Sequence, residues 1–420
     1  MRWIFKIIAA LVFLSLPLAP ALAFDVPNKI TLKTDWAIWD VNPRYLDVIS
    51  EYPKAVFRGL DVKIQPDEME QVEPYLTKDV FPGVDLMKLK TYMEEKIAPQ
   101  VFREKEDVAI RLDEENKVVF EGNGFYGRSL DSEKAASMLK YAIEHGVTFV
   151  SLPLARTEPA VTVLSDKLKE MGIKELYSSG ETDFSGSSSS RINNIHVGLS
   201  RFDGHIVLPG EEFSFGNVLG PVDDRYGYKK ELVIKGDRTV PEFGGGLCQV
   251  SSTAYRAVLA GGFPVKERRN HSYAVHYYSP AGLDATVYPP SPDLKFVNDS
   301  PAHILMQAFT IGNKAYYNFY GTRDARHVYM IGPYYSNYKE PPPKKTEYTQ
   351  KLAPGEVQVL GHAVPGLSAT WYRQVLYNTP DGKSFLETIF SKYEPRPDFV
   401  AVGASSSGQV PGEGTLENGY

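Results

Sequence analysis

Three residues in this chain could together support thiol chemistry, and they follow one another as Cys248, His271 and Asp284. A thiolate can attack a carbonyl carbon, an imidazole can carry the proton, and a carboxylate can orient the ring. Cys248 is the only cysteine in the 420-residue sequence, so an internal disulfide and a cysteine-cluster metal site are both excluded. A lone histidine is usually a surface or core residue, and an aspartate before a strand is usually a turn residue. The residue types alone therefore leave a catalytic and a structural interpretation open.

The segment FGGGLCQVSSTAYRAVLAGG, residues 243–262, predicts how the thiol is held. Its apolar residues follow a helical period after Cys248, and Gly261-Gly262 ends the pattern, so Cys248 is expected in the first helical turn. Unpaired N–H groups and the positive end of the helix dipole favour thiolate there. The preceding loop permits positive φ and could hold an oxyanion through its amides. The loop glycines are Gly244, Gly245 and Gly246. A nucleotide loop is disfavoured because the GxxxxGK[ST] pattern is absent, whereas a tight turn with a buried thiol remains the structural alternative.

The segment NHSYAVHYY, residues 270–278, alternates as a strand, which places His271 and His276 on opposite faces. Asp284 begins LDATVYP, a second predicted strand that is antiparallel to the first if the loop between them is a hairpin. The predicted fold class is α+β and multidomain. Its central domain would pack a cysteine-bearing helix on an antiparallel sheet, by analogy with papain-like and transglutaminase-like enzymes.

Composition limits the classes of partner. The net charge is −6 with 46 Lys and Arg residues, which does not fit a nucleic-acid-binding protein. Eight histidines occur, but none forms an HxxxH or HxH pair, so a metal hydrolase is not expected. We therefore expect neither a metal nor a cofactor. The sequence leaves the oligomeric state open.

The N-terminus predicts export. Arg2 and Lys6 precede the apolar run Ile7 to Leu18, and Ala21-Leu22-Ala23 supplies a cleavage pattern, although an uncleaved anchor is the alternative. No other segment approaches membrane length, so a periplasmic, extracellular or cell-wall-associated protein is expected. The predicted organisation is a signal peptide (1–23), an N-terminal segment of unknown role (24–75), an α+β domain (76–184), a central domain (185–325), a proline-rich linker (326–345), a small β module (346–403) and a disordered tail (404–420).

Residues 191–321 resemble the VanW family. The resemblance rests on RINNI, LPGEEFSFGNVLGP, GYKKELVIKGDR, FGGGLCQVSSTAYRAVLAGG, RRNHSYAVHYYSPAGLDATV and DLKFVN. Ala254 and Arg256 depart from the more usual SSTLYNA pattern. The preceding module resembles a peptidoglycan-binding domain, and the module after it resembles a small glycine-bearing β module that often follows VanW domains.

The resemblance implies a cell-wall protein. Some VanW domains are implicated as L,D-transpeptidases that use the motif cysteine, which would give Cys248, His271 and Asp284 the catalytic roles. The implied reaction is acyl transfer on peptidoglycan stem peptides through a thioester on Cys248. Candidate substrate-binding residues are Gln249, Ser251, Ser252 and Arg225. The alternative is a non-catalytic protein that binds peptidoglycan peptides and glycan as an envelope scaffold, for which the 26 Tyr and 4 Trp residues could stack on sugars.

Overall fold

The computed structural model of the chain describes residues 26–34, 37–57, 60–63, 76–235, 238–377 and 384–404. The expected signal peptide at 1–23, and the expected tail apart from Ala404, lie outside the described residues. The described residues belong to two compact units. One comprises those within Met1–Thr34, Ile38–Arg103 and Arg128–Arg156, and the other those within Asp35–Ala37, Glu104–Gly127 and Thr157–Tyr420.

Strands dominate the described chain. The first half contains β1 (Ile30–Lys33), β2 (Ile38–Val41), β3 (Ile49–Phe57), β4 (Leu60–Lys63), β5 (Leu76–Val84), β6 (Val108–Leu112), β7 (Val118–Glu121), β8 (Gly127–Leu130), β9 (Phe149–Ser151), β10 (Leu154–Thr157), β11 (Val161–Val163), β12 (Glu175–Asp183) and β13 (Ile206–Val207). The second half contains β14 (Glu212–Ser214), β15 (Lys230–Lys235), β16 (Arg238–Phe243), β17 (Val265–Glu267), β18 (Lys295–Val297), β19 (Ile304–Ile311), β20 (Lys314–Gly321), β21 (Arg326–Lys339), β22 (Lys345–Thr349), β23 (Val357–Gly361), β24 (Gly366–Tyr377), β25 (Ser384–Tyr393) and β26 (Phe399–Gly403).

The helices are short and interspersed with these strands. They are α1 (Leu86–Tyr92), which continues through a π-helical turn (Met93–Ile97) into α2 (Ala98–Val101), then α3 (Ser132–His145), α4 (Asp166–Glu170), α5 (Ser189–Ser200), α6 (Phe215–Leu219) and α7 (Leu247–Ala260). Single 3-10 turns occur at Pro43–Tyr45, Asp224–Tyr226 and His276–Tyr278. This mixture of helices and several small sheets confirms the predicted α+β multidomain class.

In the first unit, both ends of helix α3 are determined by local sequence signals. Asp131 caps it by accepting a hydrogen bond from the Lys134 N–H at 3.0 Å, and Gly146 ends it in the left-handed region at φ 67°. Leu139 and Ile143 are buried on one face. In the same unit, β1 is antiparallel to β2 and parallel to β9, and β3 pairs antiparallel with both β4 and β5.

The second unit is built around the four-stranded sheet β12-β20-β19-β13, whose strand pairs are antiparallel. Helix α7 packs on β12 and β20, and the core between helix and sheet is rich in aromatic side chains. Strand β12 (Glu175–Asp183) lies before the boundary expected at 184/185, so the central sheet begins earlier than the sequence indicated. The serine-rich segment at that boundary leads into α5, which the Ser188 side chain caps by accepting from the Arg191 N–H at 3.1 Å.

The region expected as a domain at 76–184 is divided between the two units. Residues 104–127 and 157–184 belong to the second unit, where β11, β6 and β7 form a separate sheet. The segment 326–345, expected as a linker, is mostly the strand β21. It pairs with β24 because its alternating aromatic and aliphatic residues suit a sheet.

The C-terminal strands form the sheets β21-β24-β25 and β22-β26-β23. Trp371 of β24 and Ile389 of β25 are buried in the same hydrophobic core as α7. The small β module therefore shares its core with the central domain, although the sequence indicated two separately folded parts.

Candidate active site

The glycine loop before α7 is shaped by backbone angles and by close packing. Gly244 and Gly246 have φ of 79° and 118°, in the region that favours glycine. A Cβ on Gly245 would lie 2.8 Å from the Cβ of Glu231, and the Gly245 carbonyl accepts a hydrogen bond from Asn194 Nδ2 at 3.0 Å. The turn itself requires these glycines, and their role toward an oxyanion stays a prediction.

Cys248 is the second residue of α7, and its side chain is partly exposed. The backbone N–H groups of Leu247 and Gln249 donate to the carbonyls of Gly244 and Gly246 at 3.0 and 2.9 Å. Among the hydrogen bonds of the described residues, the N–H of Cys248 finds no acceptor. This N–H is therefore a candidate donor to an oxyanion formed by thiolate attack.

The side chains of Cys248, His271 and Asp284 come together, and His271 interacts with both of the others. His271 Nδ1 lies 2.5 Å from Asp284 Oδ2, and the His271 backbone N–H donates to the same oxygen at 2.8 Å. The His271 ring also lies close enough to the thiol of Cys248 for each group to shift the pKa of the other. Because Nδ1 is engaged by the carboxylate, Nε2 is the nitrogen left for the sulfur. Cys248 Sγ lies 3.7 Å from the carbonyl oxygen of Val287.

The environment of Cys248, His271 and Asp284 shifts the pKa of each of the three groups. Burial alone would raise the pKa of Cys248, but the hydrogen bond to His271 and the charge of that ring lower it below its ordinary value. Burial alone would lower the pKa of His271, but its hydrogen bonds with Asp284 and Cys248 raise it to about 9. Burial also opposes ionisation of Asp284, yet hydrogen bonding to His271 and the charges of His271 and Arg268 hold its pKa well below the usual range. Both shifts act in the direction of a thiolate–imidazolium pair.

Asp284 is fixed through both carboxylate oxygens, and its side chain is almost completely buried. Oδ2 faces His271, while Oδ1 accepts hydrogen bonds from the Tyr393 hydroxyl and, at 3.3 Å, from Arg268 Nη2. Arg268 also donates to the Asp284 backbone carbonyl at 2.6 Å. A buried carboxylate with donors on both oxygens holds one orientation and keeps its charge.

The segments that carry His271 and Asp284 are not the paired strands that the sequence predicted. Residues 270–278 are irregular up to the 3-10 turn, and residues 283–288 contain no strand. The buried Arg256 donates through Nη2 to the carbonyls of Tyr278 and Ser279 at 2.8 and 3.0 Å. Side chains therefore satisfy the backbone groups that a ladder would otherwise pair.

Three of the predicted substrate-binding residues are internal supports. Ser251 Oγ donates to the carbonyl of Ala285 at 2.6 Å, and Ser252 Oγ accepts from the Ala285 N–H at 2.9 Å. Gln249 Oε1 accepts from Arg191 Nη2 at 2.9 Å. All three are fully buried, so they position α7 and the segment after Asp284 and are not available to a substrate.

Arg225, the fourth of these candidates, lies on the exposed 3-10 turn at 224–226. Its guanidinium pairs with Asp223, with Nη2 and Oδ2 2.8 Å apart. This contact accounts for the placement of Arg225, and the structure does not bring it into the group formed by Cys248, His271 and Asp284.

Sequence reasoning missed three residues around the triad. Arg191 of α5 lies over the Tyr277 ring, 4.6 Å from its centroid, and its charge contributes to lowering the pKa of Cys248. The Tyr278 ring stacks on the His271 ring with centroids 4.7 Å apart. Tyr393 reaches Asp284 from β25. Arg191 opens the quoted RINNI motif, which could have singled it out, whereas no local pattern marks Tyr393.

Two further observations concern the described residues as a whole. None of their helices combines the length and apolar character needed to cross a membrane. Within the same part of the chain, no three His, Cys, Asp or Glu residues are grouped as metal ligands.

Comparison with known proteins places a VanW family domain at residues 190–320, which match the family described as VanW like protein. "Uncharacterized protein YoaR" of Bacillus subtilis is 37% identical over 142 residues, or 34% of this chain and 46% of the relative. "Vancomycin B-type resistance protein VanW" of Enterococcus faecalis is 27% identical over 116 residues, or 26% of this chain and 42% of the relative. The chain thus spans less than half the length of these relatives. The predicted VanW domain is confirmed.

Two solved structures were matched by shape. The IgA1 protease G5 domain has a TM-score of 0.13 and 17% identity, covering 20% of this chain and 99% of its own. The HP0197-G5 structure has a TM-score of 0.10 and 17% identity, covering 19% of this chain and 97% of its own.

Proposed function

We propose that the VanW family domain of this chain, residues 190–320, catalyses cysteine-dependent acyl transfer on peptidoglycan stem peptides, as an L,D-transpeptidase does. The observation that carries the proposal is the grouping of the partly exposed Cys248 with His271, whose ring is hydrogen-bonded to the buried Asp284. In this proposal the protein is exported and acts at the cell wall.

The first step forms a thioester. The Cys248 thiolate attacks the carbonyl carbon of an amide in the donor stem, and the carbonyl oxygen becomes an oxyanion beside the unpaired Cys248 N–H. The intermediate collapses by breaking the C–N bond, and the leaving amine of the terminal residue takes its proton from His271 Nε2. Asp284 keeps the ring oriented and stabilises its positive charge before the proton leaves.

The second step returns the enzyme to its starting state. A side-chain amine of an acceptor stem attacks the thioester carbonyl and gives a proton to His271 Nε2. Collapse of this intermediate breaks the C–S bond and releases the Cys248 thiolate, so one amide has been exchanged for another. Water in place of the amine would give a carboxylate, and the enzyme would then act as a carboxypeptidase or endopeptidase.

The substrate class rests on the family and the reaction type on the geometry. Some VanW domains are implicated as L,D-transpeptidases, and one relative of this chain is named for vancomycin resistance. The imidazole lies between the thiol and the carboxylate, which is the spatial arrangement of nucleophile, base and orienting group that nucleophilic catalysis uses. The mechanism uses only side chains and backbone of this domain.

The decisive experiment follows both product and intermediate. Purified protein is incubated with muropeptides that carry tetrapeptide stems, and the products are analysed by mass spectrometry. We expect cross-linked dimers with release of the terminal residue. An acid-quenched sample should contain protein whose mass has increased by one acyl-stem unit on Cys248, and Cys248→Ala should give neither signal.

The matched control is Ser200→Ala, which removes a hydroxyl group from the exposed end of α5, as Cys248→Ala removes a thiol group, and should leave both signals intact. Unchanged muropeptides with wild-type protein, together with retention of that protein on purified sacculi, would instead establish the non-catalytic envelope scaffold.

A further inference from the structure

Strand β25 of the C-terminal sheet contacts the triad with one face. Along this strand Ile389, Ser391 and Tyr393 are buried while the residues between them are exposed. Ile389 enters the core shared with α7, and the other two reach the polar groups around Asp284. All three lie outside residues 190–320, the region that matches the VanW family.

The Tyr393 hydroxyl has two partners, and the direction of each hydrogen bond is determined. The backbone N–H of Gly282 can only donate, so it donates to the Tyr393 oxygen, at 2.8 Å. The ionised Asp284 can only accept, so the phenol proton must point to Asp284 Oδ1. Burial, followed by the nearby charge of Asp284, raises the pKa of Tyr393, which keeps the phenol protonated as a donor.

Further contacts from the same sheet hold the loop that precedes Asp284. Ser391 Oγ accepts from Arg268 Nη1 at 2.9 Å, and Arg268 donates in turn to Asp284. Trp371 Nε1 donates to the Ala281 carbonyl at 2.8 Å. The carboxylate and its main arginine partner are thus both tied to the C-terminal sheet.

The end of β25 also borders the segment that carries His271. Asn270 Nδ2 donates to the Lys392 carbonyl at 2.8 Å, and the Glu394 N–H donates to the Ser272 carbonyl at 2.7 Å. The backbone on both sides of His271 is therefore held by the same strand end that presents Tyr393.

From these contacts we infer that Tyr393 is a positioning residue of the proposed active site, and that the C-terminal sheet completes this site by orienting Asp284 toward His271. The inference rests on the proposed function. A phenylalanine would fill the same apolar space, so packing alone does not account for a hydroxyl that is buried and bonded on both sides. Its role is to hold Oδ1 so that Oδ2 stays directed at the imidazole.

Removing the hydroxyl has a defined electrostatic consequence. In Tyr393→Phe, Asp284 loses a donor to its charged form while remaining buried, so its pKa must rise. Without the donor on Oδ1 the carboxylate is also no longer held toward the ring, which lowers the pKa of His271 and leaves Cys248 less ionised as the pH falls. The defect should therefore grow toward acid pH, whereas a general loss of structure would slow the reaction at every pH.

The test measures alkylation of Cys248 by iodoacetamide between pH 5 and pH 9 in the full chain. Hydrogen bonds to charged groups are the stronger class, so we expect Tyr393→Phe to react about tenfold more slowly than wild type at pH 5 and nearly equally at pH 8. The control is Tyr372→Phe, which removes a hydroxyl from the exposed face of β24 and should follow the wild-type profile.

The outcomes separate this inference from the proposed function. An equal defect at all pH values, no defect, or the same defect in Tyr372→Phe would overturn the role of Tyr393. If Asp284→Asn also leaves the alkylation rate unchanged, the triad itself is wrong. A slow Asp284→Asn variant beside a normal Tyr393→Phe variant refutes only the inference.

Discussion

Asp284→Asn is the substitution that tests the charge separation most directly. It keeps the size and planar shape of the side chain while removing the negative charge beside His271, and its amide nitrogen cannot accept the hydrogen bonds that one carboxylate oxygen accepts. Asparagine can still occupy the space between the ring, Arg268 and Tyr393. The variant therefore asks whether the carboxylate charge, and not merely the shape of the site, makes the thiol reactive.

The size of the effect follows from the pKa of His271. Burial works to lower it, but the hydrogen bond with Asp284 and the contact with Cys248 raise it from the ordinary 6.5 to about 9. A full return to 6.5 corresponds to about 3 kcal/mol, or about 300-fold in the equilibrium between the thiolate–imidazolium pair and the neutral pair. The thiolate of the variant is more basic and therefore intrinsically more nucleophilic. This higher nucleophilicity compensates for about tenfold of the loss in alkylation rate. Because Cys248 supplies part of the shift in the pKa of His271, the net expectation is alkylation slowed by up to about 30-fold at pH 7.

The assay is the rate of Cys248 modification by iodoacetamide, followed by intact mass. Asp293→Asn is the matched control, because Asp293 is also buried and also accepts several hydrogen bonds, including one from Ser214 Oγ at 2.7 Å and one from the Gly216 N–H at 2.8 Å. That variant should react like wild type. An Asp284→Asn rate within twofold of wild type would refute the reasoning, since the carboxylate would then contribute nothing to thiolate formation.

The other predictions concern titration and backbone strain. The thiol of Cys248 should ionise below its ordinary pKa of 9.0, as read from thiolate absorbance, and Arg191→Gln should move that pKa upward. The pKa of Asp284 lies below its usual 3.8, so its stabilising contribution is complete above about pH 5 and is lost as the pH falls. Urea unfolding should therefore lose stability less steeply from pH 6 to pH 3 in Asp284→Asn than in wild type. Gly282→Ala should cost about 2 kcal/mol or more in thermal unfolding, because φ is +101° and the added Cβ would lie 2.7 Å from an indole carbon, whereas Gly312→Ala, with φ of +54° and open space, should cost about 1 kcal/mol.

The sequence predicted what depends on local periodicity. The glycine loop and the apolar spacing after Cys248 indicated a helix with the thiol in its first turn, and α7 begins at Leu247. Alternation at 270–278 suggested a strand, but the structure has an irregular segment there. At the end of that segment Arg256 donates to the carbonyls of Tyr278 and Ser279, a contact that no pattern within the segment reveals.

Long-range contacts account for the remaining differences. Ser251 and Ser252 stand beside the nucleophile in sequence and were predicted to meet substrate, but a helix turns neighbouring side chains in different directions and these two point inward. Tyr393 is separated from Asp284 by 109 positions, so only the packing of β25 brings the two together.

The burial of so many ionised groups is explained by their order. Arg268, Asp284, His271, Cys248 and Arg191 form a series in which positive and negative charges alternate, with the thiol as thiolate. Each inner charge has neighbours of opposite sign, which offsets the cost of removing it from water. If one inner group is neutralised, its two neighbours carry like charges and repel each other. The ionised form of the neighbouring titratable group is then less stable. Double substitutions within the series should therefore slow the thiol little more than the worse single one, because the charge separation forms and fails as a unit.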